Sequence, residues 1–256
     1  MELNVVHPNA KIGKNVTISP FTVIEEDVVI GENSWIGPNV SIMNGVRIGK
    51  NCKVFPGAIL GAVPQDLKFG GEESILEIAD NVVIREYCTI NRGTKANFRT
   101  YIGANTLIMA YVHVAHDCII HNNCIVANSV NLAGHIELEP YVVVGGMTAI
   151  HQFVRVGRHT MVGGGSLVRK DVPPFVKAAR EPLSYAGING LGLRRRGFSE
   201  EQVRTIEDIY RILFVKGINR KKALEMIEND FPTSDEKDQI LDFVARAERG
   251  LMRGYR

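Results

Sequence analysis

The sequence predicts a parallel β-helix built from hexapeptide repeats, followed by a domain of α-helices. Two observations predict the β-helix: an aliphatic row recurs every six residues, and a row of small or β-branched residues follows it at a constant offset. A third observation predicts the helical tail, because the period ends at a pair of prolines and helix-capping signals follow.

The aliphatic row occupies every residue number that divides by six, from Ile12 to Val168. Of these 27 positions, 24 hold Ile, Val or Leu, and the exceptions are Asp66, Glu72 and Ala96. An amphipathic helix repeats every 3.6 residues, so it cannot sustain a period of six over this length. Three hexads make one triangular coil, and residue n is therefore expected to stack on residue n+18.

The second row begins four residues after the first and holds small or β-branched side chains, such as Val28 and Thr106. Each coil would bury one large and one small residue per face, and only its neighbours would cover them. All four cysteines lie in this row, which predicts reduced core residues rather than the alternatives of a disulfide or metal set. Burial in apolar surroundings would make them poor nucleophiles. The cysteines are Cys52, Cys88, Cys118 and Cys124.

Two segments break the period, residues 62–77 and 93–101, and both are predicted to be loops outside the coil. Loops on a rigid scaffold often carry function. After the proline pair at 173–174, Ser199 and Gln202 form a capping box for a helix ending near Gly217. A second helix is expected to begin at residue 219 or 220, and a third runs from Ser234 to residue 250. The predicted domains are 1–176, the β-helix, and 177–256, the helical tail.

Composition argues against several classes of protein. The chain has 256 residues, 45% hydrophobic and 23% charged, with a formal charge of +2, so no nucleic-acid partner is expected. No apolar run approaches the ~20 residues that span a bilayer, and no secretory signal is recognisable at the N-terminus. We therefore expect a cytoplasmic protein without a membrane span.

The seven histidines lie outside both inward rows, and several of them are predicted to converge. The n+18 relation stacks His116 on Gly134 and Gly134 on Gln152, with His135 and His151 as immediate neighbours. An imidazole is a natural general base near neutral pH, and a backbone N–H at glycine can approach an oxyanion closely. These parts suit acyl transfer, with His116 as the base and Asp117 orienting it.

Two alternatives stay open at this point. Three histidines could bind zinc, as in the zinc carbonic anhydrases that share the hexapeptide fold. The histidine column could also be a dispensable polar ladder on a structural scaffold. Elsewhere, the arginine run 194–196 is suited to phosphate contacts, although such a run is more often solvated surface. The glycine run 163–165 lacks the strand–loop–helix context of a P-loop and is interpreted as a packing feature.

The chain resembles the UDP-N-acetylglucosamine acyltransferase family of lipid A biosynthesis along nearly its whole length. The motifs that carry the resemblance are PQDLKF at 64–69, TINRGT at 89–94, HVAHDC at 113–118, LAGH at 132–135, GGMTAIHQF at 145–153, DVPP at 171–174 and LRRRGF at 193–198. The resemblance implies a left-handed coil, a homotrimer, and transfer of a 3-hydroxyacyl group from acyl carrier protein to UDP-N-acetylglucosamine. No cofactor and no metal are implied.

The resemblance also implies roles for individual residues. His116, Asp117 and Gly134 would be catalytic, as base, assisting carboxylate and oxyanion donor. Gly164 would set the acyl length, leaving room for a long chain. Asn91 departs from the residue found in many members at the sugar contacts, and Leu191 departs from the residue found in some members near the ribose. The residues implied to bind substrate are Asp66, Lys68, His113, His135, His151, Gln152, Asn189, Arg195 and Arg196.

Overall fold

The computed structural model describes residues 3–254, and the ends of the two predicted domains, residues 1–2 and 255–256, lie outside this part. The chain forms a left-handed parallel β-helix with three sheets, followed by a helical tail. Its strands are mostly two to four residues long, because a tight corner follows each of them.

Within residues 3–254, the first sheet has nine strands: β1 (Val5–Val6), β4 (Val23–Ile24), β7 (Ser41–Ile42), β10 (Ile59–Ala62), β13 (Thr89–Asn91), β16 (His113–Val114), β19 (Asn131–Leu132), β22 (Ala149–Ile150) and β25 (Leu167–Val168). The second sheet of the same region has eight: β2 (Lys11–Ile12), β5 (Val28–Ile30), β8 (Val46–Ile48), β11 (Ile75–Ile78), β14 (Arg99–Ile102), β17 (Ile119–Ile120), β20 (Glu137–Leu138) and β23 (Arg155–Val156).

The third sheet has ten strands in the described region: β3 (Thr17–Ile18), β6 (Trp35–Ile36), β9 (Lys53–Val54), β12 (Val83–Ile84), β15 (Leu107–Ile108), β18 (Ile125–Val126), β21 (Val143–Val144), β24 (Met161–Val162), β26 (Val176–Ala179) and β27 (Ser184–Ile188). β26 is parallel to β24, whereas β27 returns antiparallel to β26. The third sheet thus continues past the predicted boundary at residue 176, and the division into two domains remains a prediction.

The stacking of residue n on residue n+18 is confirmed where the repeat is unbroken. Val114 pairs with Leu132, and Leu132 pairs with Ile150. Across the first interruption, Ile59 pairs with Thr89 at a separation of thirty, so twelve residues are inserted. The second interruption gives a separation of twenty-four, between Thr89 and His113, so six residues are inserted. Both insertions are multiples of six, which explains why the aliphatic row keeps its numbering after each loop.

The two inward rows form the core, as expected. Buried members such as Ile120 and Val126 are fully enclosed by the coils on either side. Burying an aliphatic side chain of this size stabilises a fold by about 1.5–3 kcal/mol. Ile12 is 36% exposed, because in the described region β2 is the first strand of its sheet and pairs with β5 alone. All four cysteines are buried and unpaired, and burial raises the pKa of Cys118 to about 12, which fits the prediction of inert core residues.

Up to residue 254, four α-helices and one π-helical turn follow the sheets: α1 (Gly190–Arg195), α2 (Glu200–Tyr210), the π turn (Arg211–Val215), α3 (Arg220–Asp230) and α4 (Asp235–Ala245). The predicted capping box is present, since Ser199 and Gln202 exchange both hydrogen bonds. The Asn219 and Ser234 side chains cap α3 and α4 as expected. One expectation was wrong, because α4 ends five residues before Gly250. The short helix α1 was not predicted, and it ends within the arginine run 194–196.

Candidate active site

The centre of the candidate site is a hydrogen-bonded pair at the corner after β16. Asp117 is 1% exposed and adopts the left-handed backbone conformation, with φ +59°. Its Oδ2 atom lies 2.8 Å from Nδ1 of His116. A carboxylate only accepts hydrogen bonds, so the imidazole donates from Nδ1 and presents its unprotonated Nε2 atom to the surroundings. This arrangement suits a proton acceptor.

The second inserted loop returns to the coil and covers this pair. Thr94 donates twice to Asp117, from its backbone N–H to Oδ1 at 3.0 Å and from its hydroxyl to Oδ2 at 2.6 Å. The N–H of Asp117 in turn donates to the hydroxyl oxygen of Thr100 at 2.9 Å. Both threonines are buried. Sequence reasoning missed Thr94, because a loop outside the period carries no signal that says which residue it contacts. It missed Thr100 because residues 93–101 were predicted to be loop, whereas Thr100 lies on β14.

Gly134 leaves room for the imidazole of His116, one coil below. A Cβ atom built on Gly134 would lie 2.7 Å from Cε1 and 2.8 Å from Nε2 of that ring, which is closer than a carbon atom tolerates. Within residues 3–254 the Gly134 N–H donates to no protein acceptor. The absence of a side chain at Gly134 therefore lets the His116 imidazole lie against the backbone that carries this N–H group.

His135 and Phe153 continue the corner column above Asp117. The rings of His116 and His135 meet edge to face at 5.1 Å, and His135 stacks on Phe153 at 4.5 Å. Burial lowers the pKa of His135, although the carboxylates of Asp117 and Asp66 oppose this effect. A groove of about 540 Å³ opens beside these three corner residues and reaches the end of α4 at Ala245. The groove reaches the candidate site through Asp117 and His135, whereas His116 itself does not line it.

His113 lies on β16 of the first sheet, and the first inserted loop connects β10 of that sheet to β11 of the second. The Nδ1 atom of His113 is 2.8 Å from the Thr89 hydroxyl, and burial lowers the pKa of this histidine. Asp66 and Lys68 lie in the loop, where the carboxylate of Asp66 accepts from the backbone N–H of Lys68 at 3.0 Å. The exposed Lys68 side chain is available for an anionic ligand.

Asn91, one of the two departures from the family pattern, anchors the base of this loop. It is 2% exposed, and its Nδ2 atom donates to the carbonyl oxygens of Ala62 and Val63 at 3.2 and 3.1 Å. Its Oδ1 atom is buried without a protein partner. Asn91 therefore has a structural contact with the loop that holds Asp66. Leu191, the other departure, is 64% exposed on α1.

His151 and Gln152 are on the outer side of the column and do not join His116 directly. The guanidinium of Arg249 donates to Nδ1 of His151 at 2.9 Å, so the 3.1 Å approach of the Gln152 carbonyl to the same atom is not a hydrogen bond. Arg249 also lies over the Phe153 ring, 5.7 Å from its centroid. His151 is therefore linked to the His116 column indirectly, through Arg249 of the C-terminal segment. Sequence reasoning missed these contacts of Arg249.

The residues expected at the nucleotide end form a separate cluster at another corner. Asn189 is buried and donates from Nδ2 to the carbonyl oxygen of His159 at 2.8 Å. Arg196 lies over the Tyr141 ring, and His159 stacks on the same tyrosine at 4.8 Å. Burial lowers the pKa of His159 to about 4, and burial also lowers the pKa of Arg196. Arg195 is exposed.

Two polar atoms of this corner are buried without a protein partner in the described region: Nδ1 of His159 and Nη1 of Arg196. Unpaired buried polar atoms are costly, so they favour a polar ligand here. Gly164 lies at a third corner, exposed, where an added Cβ atom would approach the Gly146 carbonyl oxygen to 3.1 Å. The structure therefore brings the base, its carboxylate, Gly134 and His135 together and leaves the other predicted residues at the edges.

The positions of the possible metal-donor atoms bear on the zinc alternative. Within residues 3–254, His116, Asp117 and His135 have donor atoms within 4.8 Å of one another. His151, the third histidine of the expected set, is outside this group and bonded to Arg249. Asp117 is already surrounded by Thr94 and His116, which favours an orienting role for the carboxylate. A three-histidine site of the carbonic anhydrase type is not assembled.

Comparison with known families places this site on a recognised scaffold. The hexapeptide model of bacterial transferases, six repeats, matches residues 27–62 and 99–134. A second model, described as domain 2 of UDP N-acetylglucosamine O-acyltransferase, matches residues 171–252. Coil and tail together define the chain as a hexapeptide-repeat acyltransferase.

Relatives extend the match to the whole chain. The acyl-[acyl-carrier-protein]–UDP-N-acetylglucosamine O-acyltransferase of Thiobacillus denitrificans is 47% identical over 250 residues, 97% of each chain. The solved UDP-N-acetylglucosamine acyltransferase of Bacteroides fragilis is 50% identical, with a TM-score of 0.97 over 99% of both chains. The Arabidopsis enzyme of that name is 32% identical, with a TM-score of 0.86 over 98% of this chain and 99% of its own. The chain belongs to the UDP-N-acetylglucosamine O-acyltransferase family.

The helices of the described region include no candidate membrane span. Between residues 3 and 254, each helix is too short or too polar to cross a bilayer.

Proposed function

We propose that the chain transfers a 3-hydroxyacyl group from acyl carrier protein to the 3-hydroxyl of UDP-N-acetylglucosamine, the first step of lipid A biosynthesis. The observation that carries this proposal is the oriented His116–Asp117 pair beside an available N–H at Gly134. The names of the Thiobacillus and Bacteroides relatives support the choice of substrates. The predicted cytoplasmic location remains a prediction.

The mechanism begins with proton transfer. Nε2 of His116 accepts the proton of the sugar hydroxyl as its oxygen attacks the thioester carbonyl carbon. The carboxylate of Asp117 stabilises the imidazolium that forms, because it accepts from Nδ1. The carbonyl oxygen becomes an oxyanion and accepts a hydrogen bond from the Gly134 N–H.

Collapse of the tetrahedral intermediate completes the reaction. The carbon–sulfur bond breaks, and the leaving thiolate takes the proton back from Nε2 of His116. The products are the O-acylated UDP-sugar and the free thiol of the carrier. No covalent acyl-enzyme is required, and the buried cysteines would be unsuitable nucleophiles because burial raises the pKa of Cys88 to about 11.

The remaining predicted residues would hold the substrates. Asp66, Lys68 and His113 would contact the sugar and diphosphate, and Lys68 is exposed for this purpose. Arg196, with one unpaired buried nitrogen, would contact the nucleotide end together with Asn189 and Arg195. His135, His151 and Gln152 would contact the nucleotide sugar or the acyl group, and Gly164 would leave room for a long acyl chain.

A homotrimer is part of the proposal, with active sites in the clefts between subunits. Tyr87 and Tyr111 form a stacked, exposed pair along one corner of the single chain. Exposed aromatic side chains of this kind support a surface that another subunit covers. Acyl carrier protein, which is acidic, would dock on basic residues of the tail. Native mass spectrometry would report a single species of three chains, and a monomer would contradict this part of the proposal.

The test is a mass-spectrometric assay with UDP-N-acetylglucosamine and 3-hydroxyacyl carrier proteins of several lengths. We expect the UDP-sugar to gain one hydroxyacyl group, with the preferred length read from the donor series. If product forms with a 3-amino analogue of the sugar and not with UDP-N-acetylglucosamine, the acceptor group is the amine rather than the hydroxyl. Absence of product with every donor and both acceptors would overturn the proposal.

A further inference from the structure

We propose that Thr94 is a positioning residue that holds the Asp117 carboxylate in the orientation that His116 requires. The inference rests on the proposed function, because it concerns the base of the same reaction. Thr94 lies in the second inserted loop, is 5% exposed, and contacts Asp117 rather than the open groove. It acts through Asp117 and not on the substrate.

Three donors surround the two oxygens of the carboxylate. Oδ1 accepts from the Thr94 N–H at 3.0 Å. Oδ2 accepts from the Thr94 hydroxyl at 2.6 Å and from Nδ1 of His116 at 2.8 Å. Since one residue donates to both oxygens, the plane of the carboxylate is fixed about its terminal bond. Hydrogen bonds to a charged acceptor are also stronger than neutral ones.

The hydroxyl proton of Thr94 has a defined direction. The oxygen of this hydroxyl accepts from the Ala96 N–H at 3.2 Å, which leaves its proton to point at Asp117. The loop itself is closed by a 2.6 Å bond from the Phe98 N–H to the Thr94 carbonyl oxygen. The Ser74 hydroxyl holds the preceding residue by donating to the Gly93 carbonyl oxygen at 2.6 Å. The loop therefore delivers Thr94 in one orientation.

This orientation matters because of the position of Asp117 in the coil. Asp117 is a corner residue in the left-handed conformation, and within residues 3–254 the hydrogen bonds to its carboxylate come from Thr94 and His116. Without the Thr94 hydroxyl, the carboxylate could rotate and weaken its bond to Nδ1 of His116. Nε2 would then be a poorer proton acceptor in the transition state.

The Thr94→Val exchange removes the hydroxyl and keeps the shape and the backbone N–H. We expect kcat to fall by about ten- to a hundredfold, the effect of losing one hydrogen bond to a charged group. The KM for UDP-N-acetylglucosamine should change by less than about twofold, because Thr94 does not touch the sugar. Thr94→Ser keeps the donor and should restore kcat to within about threefold.

The matched control is Thr106→Val. The Thr106 hydroxyl is also buried, donates to the His121 carbonyl oxygen and accepts from the Cys124 N–H, but lies at a different corner. We expect this variant to keep wild-type kcat. Equal losses in both valine variants, an unchanged kcat in Thr94→Val, or a serine variant as impaired as the valine variant would each overturn the inference.

A readout without substrate separates this inference from the proposed function. In ¹⁵N-histidine NMR spectra, His116 of the wild type should show the Nδ1–H tautomer, and Thr94→Val should show a mixture of tautomers with faster Nδ1–H exchange. A wild type without product overturns the proposed function, while the NMR comparison still tests Thr94. An active wild type with identical His116 spectra in both proteins overturns the inference alone.

Discussion

At the scale of single residues, the candidate site depends on corners rather than strands. Asp117, His135 and Phe153 occupy the same position in three successive coils, each with a positive φ. This conformation turns their side chains to one edge of the β-helix, where His116 meets them. The positions of the Asp117 carboxylate and of the stacked His135 and Phe153 rings beside His116 thus follow from one backbone geometry repeated every coil.

Gly134 provides a test of this packing. In Gly134→Ala, the new Cβ atom would lie under 3.0 Å from two atoms of the His116 ring, so the imidazole must move. A displacement of about 1 Å can cost a factor of about 10² in rate, and we expect a fall in kcat of that size with folding retained. Steady-state kinetics with circular dichroism would measure both. A kcat within twofold of wild type would show that His116 does not need the space left by the missing side chain at Gly134.

The sequence predicts the column of His116, Gly134 and His135 because an unbroken period places each residue over the next coil. The same reasoning could not predict the contact of Thr94 with Asp117, because the inserted loop has no period of its own. The approach of Arg249 to His151 was equally hidden, since it depends on the path of the tail. Asp171 secures that path: its carboxylate accepts from the backbone N–H groups of Arg155 and Arg249.

At the scale of elements, an ion network links the second sheet to α4. Arg155 donates to Glu137 at 2.9 Å and to Glu139 at 3.2 Å, and it also lies over the Phe243 ring of α4. Glu137 additionally contacts Nε2 of His121 at 3.1 Å. The helical tail is therefore attached to the coil beside the groove of the candidate site.

This network predicts a dependence of stability on pH. The His121 side chain, and then Arg155, lower the pKa of Glu137 to about 2 in the folded chain. A lowered pKa means that the ionised group stabilises the fold above its unfolded value near 4.5 and loses this effect as the pH falls toward about 2. Urea unfolding should find Glu137→Gln less stable than wild type at pH 7, with the difference shrinking below about pH 4.5.

The exposed Glu73 supplies the control for this prediction. Glu73→Gln should leave the free energy of unfolding close to that of wild type across the same range, within about 0.5 kcal/mol. A Glu137→Gln difference that stays constant down to pH 3 would mean that the network does not stabilise the tail through its charge.

At the scale of the whole molecule, the β-helix is a stack in which each coil contacts only its neighbours. Stability should therefore depend on position along the stack. Ile120→Ala removes a fully buried side chain in the middle and should cost about 2–5 kcal/mol. Ile12→Ala, at the open N-terminal end, should cost markedly less because Ile12 is 36% exposed. Urea unfolding of both variants would measure the two costs, and equal values would contradict a stack with an uncovered end.

The most direct test of the account is the rate of His116→Ala beside His121→Ala. Removing the general base should lower kcat by roughly 10²–10⁴, with folding retained because His116 lies outside the inward rows. His121→Ala, which removes a histidine just after β17 and away from the corner of Asp117, should keep kcat near wild type. A folded His116→Ala enzyme with kcat within tenfold of wild type would contradict the assignment of His116 as the base.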